Sequence, residues 1–198
     1  MKIFFISLLT IVFLNTPIYV NNRELNTDFD VERFNQEVSA VNEIINAKSV
    51  YNNKIAFLVD MKIKSGKNRF FIYDLINEKI IDQGLVAHGS GSETGIRGEL
   101  KFSNVANSNC TSLGRYAIGN NYIGIFGKAY KLYGLDETNS NAFMRNIVLH
   151  QYSAVPLEEQ DHYIVDSHGC PMVNEEFFKR IAKIIDTSKT KIILNIYY

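Results

Sequence analysis

The chain has 198 residues, 46% of them apolar and 21% charged, a mix that excludes a disordered or fibrous protein and fits one globular domain. Lys plus Arg and Asp plus Glu each number 21, so the formal net charge is zero, and a nucleic-acid partner is excluded because its phosphates call for a positive field. Two cysteines, Cys110 and Cys170, with no CxxC spacing, and four scattered histidines exclude a disulfide-built scaffold and a patterned zinc site; no metal and no cofactor is expected.

At the N-terminus Lys2 precedes an apolar run from Ile3 to Leu14, which then meets polar Asn15, Thr16 and Pro17. Such a run is short of the roughly 20 apolar residues that a bilayer-spanning helix needs. One basic residue, a short hydrophobic core and a polar exit read as a signal peptide over 1–20, with an uncleaved anchor as the alternative. Either way the working part is expected outside the cytoplasm, in the periplasm or cell envelope after crossing the inner membrane. A membrane is a partner only if the segment stays uncleaved. A polar linker is expected over 21–30 and one catalytic domain over 31–198.

From Val31 the apolar residues Phe34, Val38, Val41 and Ile45 recur at spacings of three and four, which predicts a helix lying on the domain by that stripe. Short runs rich in Ile, Val, Phe and Tyr then predict strands over 54–63, 69–75, 79–88, 116–119, 129–133, 146–150, 163–165 and 191–197. Ser65-Gly66-Lys67-Asn68 and the stretch around Asn77 suit turns between the first three, giving a meander. Residues 89–109, dense in Gly, Ser and Asn, predict a long surface loop; they lack the Lys-Ser/Thr pair of a P-loop. Asn174 is placed to cap a second helix, with Glu175 and Glu176 in its first turn and Phe177, Phe178, Ile181, Ile184 and Ile185 on its buried side. The expected fold class is mainly β (α+β), with one helix in front and one near the C-terminus.

The densest chemistry lies at Ser167-His168-Gly169-Cys170-Pro171. A cysteine nucleophile works as a thiolate, and an imidazole in reach both takes its proton and later returns one to the leaving group. His150, at the end of a predicted strand, is the candidate partner. Gly169 allows a tight turn, and the amides of His168, Gly169 and Cys170 can converge as an oxyanion hole. A Cys110–Cys170 disulfide is the rival reading; it would leave a catalytically silent wall-binding protein.

His150, sixteen residues, then Ser167-His168-Gly169-Cys170 resembles the active-site signature of the YkuD-type L,D-transpeptidases. Further segments resemble the murein L,D-transpeptidase catalytic-domain branch: Leu85-Val86-Ala87-His88-Gly89, Phe102-Ser103-Asn104, Ser112-Leu113-Gly114-Arg115-Tyr116, Gly134-Leu135-Asp136, Thr138-Asn139-Ser140-Asn141-Ala142 with Arg145, and Gly169-Cys170-Pro171. The likeness runs from about Val31 to the C-terminus. It implies a β-sandwich or barrel-type fold and a reaction on peptidoglycan stem peptides: Cys170 attacks the carbonyl of the third stem residue and expels D-alanine, and an amine takes the acyl group to give a 3-3 cross-link. Water in place of the amine gives L,D-carboxypeptidase activity. The resemblance implies His150 as base and acid, the backbone carbonyl of Gln151 as its support, His168, Gly169 and Cys170 as the oxyanion hole, Ser167 as their support, and carbapenems as covalent ligands of Cys170. Asp166 departs from the branch, which often has Arg nearby, and a carboxylate there would raise the thiol pKa.

Arg115 and Arg145 are candidates for holding a stem-peptide carboxylate in bidentate fashion. Tyr130, with Tyr122 and Tyr133, is a candidate lining of a groove, and Asn141 a candidate substrate contact beside its reading as a turn residue. His88 suits a structural hydrogen bond, and His162 a partly exposed position on a strand.

Overall fold

The computed structural model describes residues 29–198. The expected signal peptide or anchor over 1–20 lies outside the described residues, as does the expected linker except for its last two positions.

The first helix, α1, spans Val31–Ala47, and Asp30 is its N-cap: the carboxylate accepts the Arg33 amide at 3.0 Å. Asp30 thus closes the helix rather than belonging to a linker. Phe34, Val41 and Ile45 are buried and Val38 packs beside them, as the stripe predicts, while Val31 is 48% exposed. The guanidinium of Arg33 donates to the fully buried Asp60 at 2.7 Å, tying α1 to the sheet. No helix among the described residues is long and apolar enough to cross a membrane.

Strands β1 (Ile55–Asp60), β2 (Phe70–Asp74) and β3 (Lys79–Gly84) form the expected antiparallel meander. The predicted run 79–88 is broken at Leu85, after which β4 is only Val86–Ala87. The hairpin of β5 (Gly114–Gly124) and β6 (Gly127–Gly134) extends past the predicted segments, because a register irregularity between Ile118 and Asn121 lets the Asn- and Gly-containing stretch pair. Strands β7 (Val148–Gln151) and β8 (Met172–Val173) follow, then α2 (Glu175–Thr187) and β9 (Ile193–Tyr197). Asn174 caps α2 as expected, accepting the Glu176 amide at 2.8 Å. The strand expected over 163–165 does not form. Ile164 is instead buried in a side cluster with Leu85, Ala87, Val155 and Met172, so its apolar character reports burial of a loop and not pairing.

All nine strands belong to one sheet in the order β3-β2-β1-β9-β5-β6-β7-β8-β4. The two outermost strands, β3 and β4, are separated in sequence by Leu85 alone, so the sheet curls into a nearly closed barrel. Alternation sorts the side chains. Phe57 and Val59 of β1 join Phe70, Tyr116, Tyr130, Leu149 and the Phe177 and Phe178 of α2 in the main core. Ala56 and Leu58 point the other way, into a second core under α1 with Phe71, Ala117 and Ile193. The result is the mainly β architecture with two helices that the sequence leads one to expect.

Candidate active site

Strand β7 lies between β6 and β8 and carries His150 opposite Ala129 on one side and Met172 on the other. The His150 amide also donates to the Pro171 carbonyl at 3.4 Å, so the chain that bears Cys170 runs directly alongside. The imidazole is only 5% exposed, and its ring stacks on Phe126 with centroids 5.1 Å apart and 15° between planes. Its Nδ1 lies 2.9 Å from the Gln151 carbonyl oxygen, an atom that can only accept. Nδ1 therefore carries the proton, and Nε2 is left as the basic nitrogen. Burial pushes the His150 pKa below the ordinary imidazole value, partly offset by the Gln151 hydrogen bond, which favours a neutral ring.

Ser167 begins the segment that carries the thiol, and the backbone fixes it from both sides. Its amide donates to His88 O at 2.7 Å, and its carbonyl accepts the Ser90 amide at 2.7 Å. Ser167 Oγ accepts the Gly169 amide at 3.0 Å. Gly169 has φ +107°, and a Cβ there would fall 2.7 Å from the Cys110 carbonyl oxygen, so the turn requires glycine on two counts. The Gly169 amide is thus occupied by Ser167. The amides of His168 and Cys170 donate to no acceptor among the described residues, which leaves two of the three expected oxyanion donors open.

The Cys170 thiol is half-buried, with Sγ 3.8 Å from the Asn146 carbonyl oxygen. Asn146 itself adopts φ +56°, a left-handed conformation that asparagine tolerates better than most residues. Burial raises the thiol pKa, while the Val148 amide and the charges of Arg145 and Lys131 pull it down. Asp166 does not act on the thiol. Its carboxylate lies 3.5 Å from His88 Nε2, on the far side of a separate network. There the fully buried Arg69 donates to the carbonyls of Val86 and Ile63 and to His88 Nδ1, and His88 Nε2 meets Glu93 at 2.6 Å. Burial lowers the Arg69 pKa to about 10, so the guanidinium stays charged at neutral pH.

The ligand atoms of His88, Glu93 and Asp166 lie within 4.8 Å of one another, a spacing that could suit a metal ion. Arg69 has only donors, however, so His88 Nδ1 accepts and Nε2 bears the proton. A nitrogen in that state offers no lone pair, and the trio is a hydrogen-bonded network rather than a ligand set. His88 has the structural role expected of it. His162 is exposed but sits in a bend and not on a strand.

Four expected substrate contacts have other roles. Arg145 spends its Nη atoms on the chain itself: Ser103 O at 2.9 Å, Cys110 O at 2.7 Å, Ser108 Oγ at 3.3 Å and a close contact to Ser112 Oγ. It gathers the loop that backs Gly169 and has no fork left for a carboxylate. Arg115 is paired with Asp136 through side chain and amide and reaches Ala40 O of α1. Tyr130 is core, its hydroxyl donating to Asp186 at 2.7 Å. Asn141 donates twice to Asn104, from its amide to Oδ1 and from its side-chain Nδ2 to the main-chain oxygen, each at 3.1 Å, and so joins two loops. Both cysteines are free thiols, and Cys110 Sγ is buried against Gly91 O at 3.0 Å, away from Cys170 Sγ on Asn146; the disulfide reading is not met.

Sequence reasoning passed over Lys131, Asn146, Phe126 and Arg69. Only Arg69 left a trace, as a charge at the start of a run otherwise destined for the core.

A histidine anchored by a main-chain carbonyl and a half-buried thiol, on adjoining segments at the rim of a barrel, can support nucleophilic acyl transfer. The sequence profile of the L,D-transpeptidase catalytic domain matches residues 25–197, and the chain belongs to that family. No curated protein matches it. Among solved structures it is similar to the Ldtfm–avibactam carbamoyl enzyme, with 11% identity and TM-score 0.45 over 74% of this chain and 49% of that one. It is also similar to Bd1075 of Bdellovibrio bacteriovorus, with 18% identity and TM-score 0.46 over 73% and 48%. A third is LdtMt1 in complex with imipenem, with 9% identity and TM-score 0.41 over 73% and 59%. The chain spans between 48% and 59% of the length of these three structures.

Proposed function

We propose that this domain is a peptidoglycan L,D-transpeptidase with Cys170 as nucleophile and His150 as general base and acid. The observation that carries the reading is the Gln151 carbonyl on His150 Nδ1, which frees Nε2 for proton transfer beside the segment bearing the thiol. Because burial acts on both groups to favour their neutral forms, the resting pair is thiol and imidazole rather than a pre-formed ion pair. Sγ gives its proton to Nε2 as it attacks the carbonyl carbon of the third stem residue. The oxyanion is received by the free amides of His168 and Cys170, with Ser167 holding the turn through Gly169. His150 then protonates the departing D-alanine nitrogen, leaving a thioester. A side-chain amine of a second stem attacks the thioester carbonyl and gives a proton to His150; the C–Sγ bond breaks, His150 returns the proton to Sγ, and the 3-3 cross-link is released, whereas water in place of the amine yields the tripeptide of an L,D-carboxypeptidase.

The same reading makes carbapenems covalent ligands of Cys170 and needs neither metal nor organic cofactor. It also sends the domain to the periplasm or cell envelope, where its substrate lies, with the 1–20 segment as the export signal or anchor. The test is mass spectrometry of products from a purified disaccharide-tetrapeptide, with the wild type beside Cys170→Ala. A cross-linked dimer lacking one D-alanine, absent with the variant, is expected. Tripeptide alone would mean the carboxypeptidase, and untouched substrate with intact thiols would remove the proposal.

A further inference from the structure

The arginines expected to hold a substrate carboxylate are both committed elsewhere, yet the face of the sheet that carries His150 does hold a cation. In an antiparallel pair, directly opposite residues project to the same face. Ala129 opposes His150 and Lys131 opposes Val148, so Lys131 stands on the histidine's face, one alternation along β6. Asn146 links the lysine to the thiol: its side-chain oxygen accepts Lys131 Nζ at 3.4 Å, while its main-chain oxygen lies 3.8 Å from Cys170 Sγ. Nζ also sits 4.8 Å from the ring centroid of Tyr122. No carboxylate among the described residues pairs with Lys131. An ammonium has three donors, and one long hydrogen bond to an amide oxygen leaves it with capacity for an anion.

We propose that Lys131 is a specificity-determining residue that binds the terminal carboxylate of the donor stem, the carboxylate of the D-amino acid released by Cys170. The inference rests on the transpeptidase reading above. In such a donor the carboxylate lies one residue beyond the scissile carbonyl, about 3.8 Å of chain, so a cation sharing Asn146 with the nucleophile is in the right neighbourhood for it. Binding there selects stems that end one residue after the scissile bond. A longer stem would carry an uncharged amide where the lysine meets a carboxylate.

The experiment compares two donors, a disaccharide-tetrapeptide with a free C-terminal carboxylate and the same molecule as its C-terminal amide. The enzymes are wild type, Lys131→Met and Lys131→Arg. Wild type should favour the acid by about 10- to 100-fold in kcat/KM, the range of one charge-assisted hydrogen bond. Lys131→Met should bring the ratio close to one, and Lys131→Arg should keep most of it. The lysine charge also eases thiol ionisation, so Lys131→Met should slow alkylation of Cys170 by iodoacetamide; that effect applies to both donors and leaves their ratio untouched. Equal turnover of acid and amide by the wild type, or an unchanged ratio in Lys131→Met, would overturn the lysine assignment alone. A wild type inert to both donors would overturn the transpeptidase reading and this role with it.

Discussion

Cys170 and His150 are held uncharged by the same cause, loss of water around each, and this fixes the sign of two pH dependences. The thiol pKa lies above the ordinary 9.0, so the rate of alkylation by iodoacetamide should still be climbing beyond pH 9. A plateau below pH 8 would contradict it. For stability the relevant pair is His150 and His88, both pushed below the ordinary 6.5, by burial in each case and for His88 also by the Arg69 charge. Between the folded values and 6.5 the unfolded chain takes up protons that the folded chain refuses, so this contribution is complete above about pH 6.5 and is lost as the pH falls below it. The Tm should drop on acidification through that window, and His150→Gln should drop less. Ser167→Ala makes a sharper residue-scale test. It leaves the buried Gly169 amide without its acceptor, which costs about 1–3 kcal/mol, and it should lower turnover well beyond that loss of stability by releasing the turn ahead of Cys170.

At the scale of elements, the loop that backs the thiol segment depends on Arg145. Arg145→Ala should lower stability by about 2–3 kcal/mol, because the Cys110 carbonyl loses its donor and the Ser103 carbonyl keeps only the Ser112 hydroxyl. Calorimetry reads that loss directly, and hydrogen exchange should rise first over residues 103–112. The case shows where sequence reading stops. An arginine's five donors are written identically whether they meet a substrate or the chain's own carbonyls, so Arg145 and Arg115 passed for ligand clamps. Elements with local signals were legible: the stripe from Phe34 to Ile45, and Asn174 ahead of two glutamates and two phenylalanines. Those resting on distant partners were not. Strand β8 is two residues flanked by Pro171 and Asn174, and it exists because β7 and β4 lie on either side of it. Ile164 gave the opposite error, since burial under Val155 and Leu85 imitates a strand. Residue chemistry offered His150 as a candidate partner for Cys170, and the family signature sharpened that reading; composition and periodicity do not by themselves bring residues twenty positions apart together. Lys131 stayed hidden because its meaning comes from Val148 across the strand pair.

In the molecule as a whole, α1 and the candidate site occupy separate parts of the barrel. The helix covers β2, β1, β9 and β5, whereas the thiol and imidazole lie on β7, β8 and the loops about them. Phe34→Ala removes a ring packed edge-on against Phe71 and Tyr73 and should cost about 3–5 kcal/mol. Turnover by the fraction still folded at low temperature should be unchanged, and a fall in its kcat would show that α1 shapes the site as well as the core. Such a division of labour was not readable from the strand runs, because their spatial order departs from their chain order twice, at β4 beside β8 and, where it divides the sheet, at β9. Strand β9, near the C-terminus, lies between β1 and β5 and pairs with both, parallel to the first and antiparallel to the second. The meander on one side and the strands bearing the site on the other share no other pairing across that seam. A growing polypeptide can therefore form its hairpins on the ribosome but cannot join the two halves of the sheet until Ile193–Tyr197 has emerged. A premature stop before Ile193 would leave two half-sheets with nothing between them.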